Sequence, residues 1–343
     1  MSLEAKIGHM LIAGFRGLAL DHNSPIFRDI QERHLGGIIL FDYDSALKSP
    51  ERNVQSPSQV AQLIASLQDA AQSPLLIGID QEGGRVNRLK ERFGFPPTVS
   101  AQYLGELNNL EQTRRYAAST AQTLSLLGIN INFAPVVDLN VNADCPVIGQ
   151  VERSFSANPD VVTAHARCWI QEHHAWHIAC ALKHFPGHGS ATKDTHLDFV
   201  DVTENWSPDE LLPYRQLIDE GLCDMVMTSH IFHAGLDPKW PATLSHPVLH
   251  DLLRVELGYD GVIISDDLQM KAVSAQYSLE TIIRQALHAG VDLLTFGNNL
   301  HYDEHIVARV AGIVKNFISH GLIPEERIEQ SYRRICRLKN AWT

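Results

Sequence analysis

The sequence predicts an α/β fold, namely a single (β/α)8 barrel of the TIM type. Two observations indicate it: eight short apolar runs recur along the 343 residues, and longer segments with helical spacing separate most of them. Each run is almost continuously apolar, as is typical of parallel strands buried on both faces. A doubly wound open sheet is the alternative, but the number of runs favours a closed barrel.

The predicted strands are rich in aliphatic and β-branched residues and carry their polar residues mostly at the end. They are IGHMLIAGF (7–15), GGIILF (36–41), LLIGID (75–80), INFAPVVDL (131–139), IACALKHF (178–185), DMVMTSH (224–230), GVIISDD (261–267) and VDLLTFG (291–297). Predicted helices repeat apolar residues at helical spacing, and several end at glycine. They cover 56–72, 110–128, 158–176, 207–221, 278–290 and about 323–342. We expect the last helix to pack on the barrel, so that residues 1–343 form one domain.

Composition and charge exclude several classes of protein. A net charge of −12 and a pI of about 5.8 argue against a nucleic-acid or anionic-membrane partner. The five cysteines are scattered without a CxxC pair, so neither a disulfide framework nor a zinc ribbon is indicated. The start, MSLEAKIGHMLIAGF, lacks the order of a secretory signal, and no apolar run is long enough to span a membrane. We therefore expect a cytoplasmic protein.

Polar residues fall at the carboxyl ends of the predicted strands. Five runs end in this way, at Asp80, Asp138, Lys183 with His184, Ser229 with His230, and Asp266 with Asp267. A single polar strand end is most simply a contact with water or a helix cap. Because the carboxyl ends of all strands in a barrel lie at the same mouth, five polar strand ends favour a functional site there.

The loop KHFPGHGSATKDTH (183–196) concentrates titratable side chains, and its Pro186 and glycines exclude a continuing helix. A metal site, a Schiff-base lysine and a proton-transfer loop are all compatible with it. Asp194 and His196 stand two residues apart, close enough for the carboxylate to orient the imidazole and favour its protonated form. That pairing follows the logic of catalytic dyads. The alternative is a surface loop with incidental histidines, since the chain has 18 of them.

Two further segments carry candidate carboxylates. GIDQEGGRVNRL (78–89) lacks the spacing of a phosphate loop, but Asp80 and Arg88 suit hydrogen bonding to neighbouring hydroxyls. A structural ion pair that braces the turn is equally compatible. In GVIISDDLQM (261–270) strand alternation predicts that only one of Asp266 and Asp267 faces the barrel axis, while the other caps the next segment. One carboxylate at a strand tip suits a nucleophile or a general base, although two capping aspartates are the simpler alternative.

Metal-ligand patterns are weak. The chain has no HExxH motif, and Pro186 interrupts the spacing of His184 and His188. His173 and His177 are one helical turn apart, but we interpret them as the solvent-facing side of an amphipathic helix. We expect no metal and no organic cofactor.

Together these segments resemble the catalytic barrel of glycoside hydrolase family 3, and in particular its single-domain bacterial β-N-acetylglucosaminidases of cell-wall recycling. The matching segments follow the family's order: GIDQEGGRV (78–86), ERSF (152–155), KHFPGHG (183–189), DTH (194–196) and SDDLQM (265–270). The likeness extends over almost the whole chain. KHFPGHG followed by DTH is its specific part, whereas SDD alone is a weak signal.

The resemblance implies a role for each matching residue. Asp266 would be the nucleophile that forms a covalent glycosyl-enzyme, and His196 the general acid/base with Asp194 as its partner. The positions that would hold the hydroxyls and the acetamido-bearing ring of the sugar are Asp80, Arg88, Arg153, Lys183 and His184. The segment before ERSF is longer than the family pattern, which makes Arg153 the least regular match.

The resemblance further implies an exo-acting, retaining enzyme that removes terminal GlcNAc from peptidoglycan fragments such as GlcNAc-anhydroMurNAc-peptides. We expect a small carbohydrate substrate and a monomer or weak homodimer. Because a neutral histidine does not repel an anionic acceptor, a phosphorylase is an alternative. A β-glucosidase or β-xylosidase, a substrate-assisted hydrolase, a Schiff-base lyase on Lys183 and a non-catalytic sugar-binding barrel also stay open.

Overall fold

A computed structural model describes all 343 residues and confirms the predicted barrel. Its eight parallel strands are β1 (Leu11–Gly14), β2 (Gly37–Leu40), β3 (Leu76–Ile79), β4 (Ile131–Asn132), β5 (Ala179–Phe185), β6 (Met225–Thr228), β7 (Val262–Ile264) and β8 (Leu294–Phe296). They pair in the order β7-β6-β5-β4-β3-β2-β1-β8. An isolated parallel bridge between Ile264 and Leu293 joins the two end strands and brings the sheet close to full closure.

Helices surround the strands. They are α1 (Leu3–His9), α2 (Pro25–Arg33), α3 (Pro57–Ala70), α4 (Ala101–Leu107), α5 (Leu110–Leu127), α6 (Pro159–Ala175), α7 (Leu212–Asp219), α8 (Lys271–Ser274), α9 (Leu279–Ala289), α10 (Ile306–Ser319) and α11 (Glu325–Trp342). Short 3₁₀ turns lie at Glu91–Phe93, Pro208–Leu211 and Ala242–Leu244, and a π-helical segment at Pro247–Glu256. No helix combines the length and the apolar character that a membrane crossing requires.

The barrel interior explains the apolar runs. All residues of the eight strands are buried, because helices cover the outside and side chains fill the inside. Helix α11 lies against α1 and the segment before β8. Its Ile328 and Ile335 are fully buried, and Arg327 donates hydrogen bonds to the carbonyls of Leu287 and Val291.

The first predicted strand was too long. Ser2 caps helix α1 by accepting a hydrogen bond from the Ala5 N–H at 3.2 Å, so the start of 7–15 is helical and only Leu11–Gly14 is a strand. The predicted helices do not include α1, α2, α4, α8, α10 or the π-helical segment. Several of these elements are short, and short amphipathic segments give a weak periodic signal.

Candidate active site

The carboxyl ends of the strands surround a cavity of about 450 Å³. Seven of the eight predicted site residues line it: Asp80, Arg88, Arg153, Lys183, His184, His196 and Asp266. The eighth, Asp194, bonds the His196 ring. A groove of about 410 Å³ also lies at the opposite end of the barrel, between α11 and the segment before β7, but none of the predicted site residues line it.

Lys183 lies between two carboxylates at the base of the cavity. Its Nζ is 2.8 Å from Asp80 Oδ1 and 2.6 Å from Glu82 Oε1, and its side chain is only 1% exposed. Arg88 Nη2 approaches Asp80 Oδ2 at 3.4 Å. Burial by itself would raise the pKa of Asp80, but the charges of Lys183 and Arg88 hold it well below its usual range. These residues therefore form a cluster of paired positive and negative charges. Two of the three N–H groups of the Lys183 ammonium are used by Asp80 and Glu82, and the third remains for a ligand.

Arg153 lies in the site despite the longer segment that precedes it. Its Nε and Nη2 donate to the two oxygens of Glu82 at 2.8 and 2.7 Å, and its Nη1 donates to the Val147 carbonyl. Burial would lower the pKa of Arg153, but Glu82 raises it above its ordinary value. The guanidinium of Arg153 therefore lines the cavity in a fixed position.

His184 has a defined tautomer. Arg153 Nη2 is 3.1 Å from Nε2 of His184, and since a guanidinium only donates, Nε2 must be the accepting nitrogen. Nδ1 therefore carries the proton and donates it to Asp138 Oδ2 at 2.7 Å. Asp138 Oδ1 also accepts the backbone N–H groups of His184 and His188, so this buried carboxylate fixes both the end of β5 and the start of the following loop.

Asp194 and His196 form the predicted pair on that loop. Asp194 Oδ1 lies 2.8 Å from His196 Nδ1 and also accepts the His196 N–H at 2.7 Å. Burial would lower the pKa of His196, but the Asp194 hydrogen bond and the Asp266 charge raise it above its ordinary value. The imidazole is 46% exposed, and its Nε2 is the nitrogen left to face a ligand. Ala272 N–H donates to the Thr195 carbonyl, which holds the loop against α8.

One of the two aspartates, Asp267, caps the next segment, as the sequence predicts. Burial would raise the pKa of Asp266, but the neighbouring His230 and His184 lower it below its ordinary value, so the group is a carboxylate near neutral pH. Asp267 Oδ1 caps the next segment by accepting the N–H groups of Gln269 and Gly297, both at 3.0 Å.

The prediction that strand alternation separates the two aspartates was wrong. Both line the cavity, because β7 ends at Ile264 and alternation no longer holds two residues later. Burial raises the pKa of Asp267 to about 6. The two carboxyls therefore differ in environment rather than in the side of the barrel that they face.

The interpretation of His173 was also wrong. Its ring is fully buried, donates from Nδ1 to the Trp169 carbonyl at 2.8 Å and accepts from Asn132 Nδ2 at 3.0 Å. It therefore braces α6 against the barrel instead of facing solvent. Three exposed side chains that do not line the cavity lie close enough to share a metal ion: His246, His250 and Asp251.

Comparison with known proteins agrees with this geometry. Residues 2–338 match the profile described as the glycosyl hydrolase family 3 N terminal domain. The chain belongs to glycosyl hydrolase family 3. A beta-hexosaminidase of Haemophilus influenzae is 31% identical over 331 residues, which is 90% of both chains. The beta-hexosaminidase A of Pseudoalteromonas piscicida is 33% identical over 90% of this chain, but this chain covers only 54% of it.

Solved structures agree with this result. A β-N-acetylglucosaminidase from Paenibacillus sp. str. FPU-7 superposes with a TM-score of 0.91 at 36% identity, over 99% of this chain and 62% of that one. A β-N-acetylhexosaminidase from Beutenbergia cavernae superposes with a TM-score of 0.88 at 25% identity, over 99% of both chains. This chain therefore spans a little over half of some relatives and nearly the whole of others.

Four residues of this family 3 site were not singled out as site residues from the sequence. Glu82 and Asp138 support Arg153, Lys183 and His184 from behind, and Asp42 and Lys90 line the cavity mouth. Glu82 stands two residues after Asp80, a spacing that could have indicated it. The sequence indicates Asp138 only as a polar strand end, because its contact with His184 depends on how β4 and β5 pair.

Proposed function

We propose that this family 3 barrel is an exo-acting, retaining β-N-acetylglucosaminidase. The observation that carries the proposal is that Asp266 and His196 face one cavity, with Asp194 bonded to the imidazole. The names of the relatives, beta-hexosaminidase and β-N-acetylglucosaminidase, support the same activity. A concave cavity of about 450 Å³ is of a size that suits a short portion of a sugar chain, such as its terminal residue.

In the first step the carboxylate of Asp266 attacks the anomeric carbon and the glycosidic C–O bond breaks. His196 gives its proton to the departing oxygen, so that a covalent glycosyl-enzyme and a free alcohol result. In the second step the now neutral imidazole takes a proton from water, whose oxygen attacks the anomeric carbon and releases Asp266. The lowered pKa of Asp266 and the raised pKa of His196 support these starting protonation states.

The remaining polar residues would hold the sugar ring. Asp80 and Lys183 offer a charged acceptor and donor for neighbouring hydroxyls, and Arg88, Arg153 and His184 complete the polar wall. We further propose terminal GlcNAc of peptidoglycan fragments, such as GlcNAc-anhydroMurNAc-peptides, as the substrate and the cytoplasm as the location. The position of Lys183 between Asp80 and Glu82 argues against a Schiff-base lyase, because both carboxylates hold its ammonium.

A panel of 4-methylumbelliferyl β-glycosides of GlcNAc, GalNAc, glucose and xylose, assayed with and without phosphate, tests the proposal. We expect the GlcNAc compound to react fastest and phosphate to have no effect. Faster cleavage of the glucose or xylose compound would contradict the assignment. A sugar 1-phosphate among the products would identify a phosphorylase, and no turnover of any compound would indicate a sugar-binding barrel. Asp266→Asn is the control for contaminating hydrolases.

A further inference from the structure

The π-helical segment Pro247–Glu256 begins with a cluster of two histidines and one aspartate. The motif HPVLHD (246–251) brings His246, His250 and Asp251 together, and their ligand atoms all lie within 4.8 Å of one another. The three side chains are 47%, 51% and 64% exposed, so an ion in solvent can reach them. None of them lines the cavity at the carboxyl ends of the strands.

The π-helical form of this segment brings all three side chains to one face. In a π-helix each hydrogen bond runs five residues back, as between the Leu257 N–H and the Leu252 carbonyl at 2.9 Å. Positions i+4 and i+5, which are His250 and Asp251, therefore both return close to the direction of His246. In an α-helix, position i+5 would point about 140° away from position i. The rare helix form thus makes a third ligand available, and π-helical turns are frequent at functional sites.

The carboxylate of this cluster pairs with imidazoles rather than with lysine or arginine. Asp251 Oδ1 lies 2.8 Å from Nδ1 of His250 and 3.8 Å from Nδ1 of His246. The two imidazole rings stack with their centroids 4.4 Å apart. Two imidazoles and a carboxylate are ligands that Zn²⁺ and related transition-metal ions accept. No ammonium or guanidinium competes with a metal ion for this carboxylate.

A third imidazole approaches the cluster from another helix. His288 of α9 is exposed, and its ring centroid lies 6.4 Å from that of His246, with the two rings edge to face. Helix α9 packs against the π-helical segment, so the two backbones hold the rings near each other. Exposed side chains change rotamer readily, and a small rotation can turn a nitrogen of His288 towards the other three ligand atoms.

We propose that a surface site for a divalent transition-metal ion such as Zn²⁺ is formed by His246, His250, Asp251 and His288. Four nitrogen and oxygen donors fit the tetrahedral coordination of Zn²⁺, whose bonds to such ligands are about 2.0–2.2 Å long. The histidine spacing is that of HExxH, but Pro247 stands where that motif has its general base. The bound ion therefore ties α9 to the π-helical segment and takes no part in hydrolysis.

Titration of tag-free, chelator-stripped protein with Zn²⁺ in competition with a chromogenic indicator tests the site. We expect wild-type protein to bind one tight equivalent. His250→Gln, Asp251→Asn and His288→Gln should each weaken binding by at least about tenfold, because loss of even an outer-shell partner of a metal ligand costs that much. Unchanged affinity in His288→Gln would refute the link to α9. Zn²⁺ at about 100 times Kd should raise the unfolding temperature of wild type, but not of His250→Gln, by about 2–4 °C.

His305→Gln is the matched control, because His305 is an exposed histidine 3.5 Å from the carboxylate of Glu304 but belongs to no group of three possible ligands. It should bind Zn²⁺ as the wild type does. The site is refuted if wild-type protein binds no Zn²⁺, or if His250→Gln and Asp251→Asn bind it as tightly as wild type. Loss of the tight equivalent in His196→Gln, with retention in His250→Gln, would place the ion in the cavity and overturn the proposal. Should His250→Gln not fold, Asp251→Asn decides the matter.

Discussion

Asp138 and His184 are joined by a hydrogen bond of 2.7 Å between Oδ2 and Nδ1, and both side chains are buried. The carboxylate does not line the cavity, yet it determines which nitrogen of His184 can accept from Arg153. A buried partner of this kind orients a binding residue without contacting the ligand.

Asp138→Asn should disturb this arrangement while preserving the volume. The amide would offer an N–H to Nδ1 of His184, so the ring proton would move to Nε2. The Nε2–H would then face an N–H of the Arg153 guanidinium, and the hydrogen bond between them would be lost. We expect KM for the GlcNAc substrate to rise by about tenfold, with a smaller change in kcat. NMR of the imidazole nitrogens would report the tautomer, and an unchanged tautomer with unchanged KM would contradict the account.

Asp194→Asn should move the pH profile. Asp194 contributes to the raised pKa of His196, so its replacement lowers that pKa. Because His196 must be protonated to act as the acid, the alkaline limb of kcat/KM should shift to lower pH. A disaccharide, whose leaving group needs protonation, should show the shift most clearly. An alkaline limb at the same or a higher pH would remove Asp194 from this role.

Glu210 should make stability depend on pH. It is fully buried on the 3₁₀ turn 208–211, where Oε2 accepts the Gly189 N–H at 3.2 Å, and burial raises its pKa from 4.5 to about 7. The folded state holds this proton more tightly than the unfolded state. Protonated Glu210 therefore contributes its full share to the free energy of unfolding below about pH 4.5. This stabilisation is lost as the pH rises to about 7.

Glu210→Gln mimics the protonated form and should remove this loss. Between pH 5 and pH 8 the variant should lose less free energy of unfolding than the wild-type protein, by on the order of 1–3 kcal/mol. Urea unfolding at the two pH values measures the difference. The exposed Glu280→Gln on α9 is the control, and an equal pH dependence in Glu210→Gln and wild type would refute the expectation.

The sequence predicts the barrel well because buried parallel strands are apolar at nearly every position. The strand predicted at 178–185 is observed as Ala179–Phe185, and the strand predicted at 36–41 is observed as Gly37–Leu40. Strand ends meet at one mouth for geometric reasons, so the positions of Asp80, Lys183 and Asp266 in one cavity also follow from the pattern.

Contacts between distant segments are what the sequence could not predict. Glu82 reaches Arg153 and Lys183 across 71 and 101 positions, and only the closed barrel brings them together. The burial of His173 depends on how α6 lies against β4, because a histidine on an amphipathic helix fits either face. The hydrogen bonds from Ser45 and Ala46 to Asn299 likewise require β1 to lie between β2 and β8.

Trapping the covalent intermediate tests the central claim most directly. A slow fluorinated GlcNAc donor should inactivate the protein with one adduct per chain, and peptide mapping by mass spectrometry should place that adduct on Asp266. Asp267→Asn should still be labelled, whereas Asp266→Asn should not. An adduct on Asp267 or Lys183, or turnover of the donor without any adduct in protein that is otherwise active, would contradict the account.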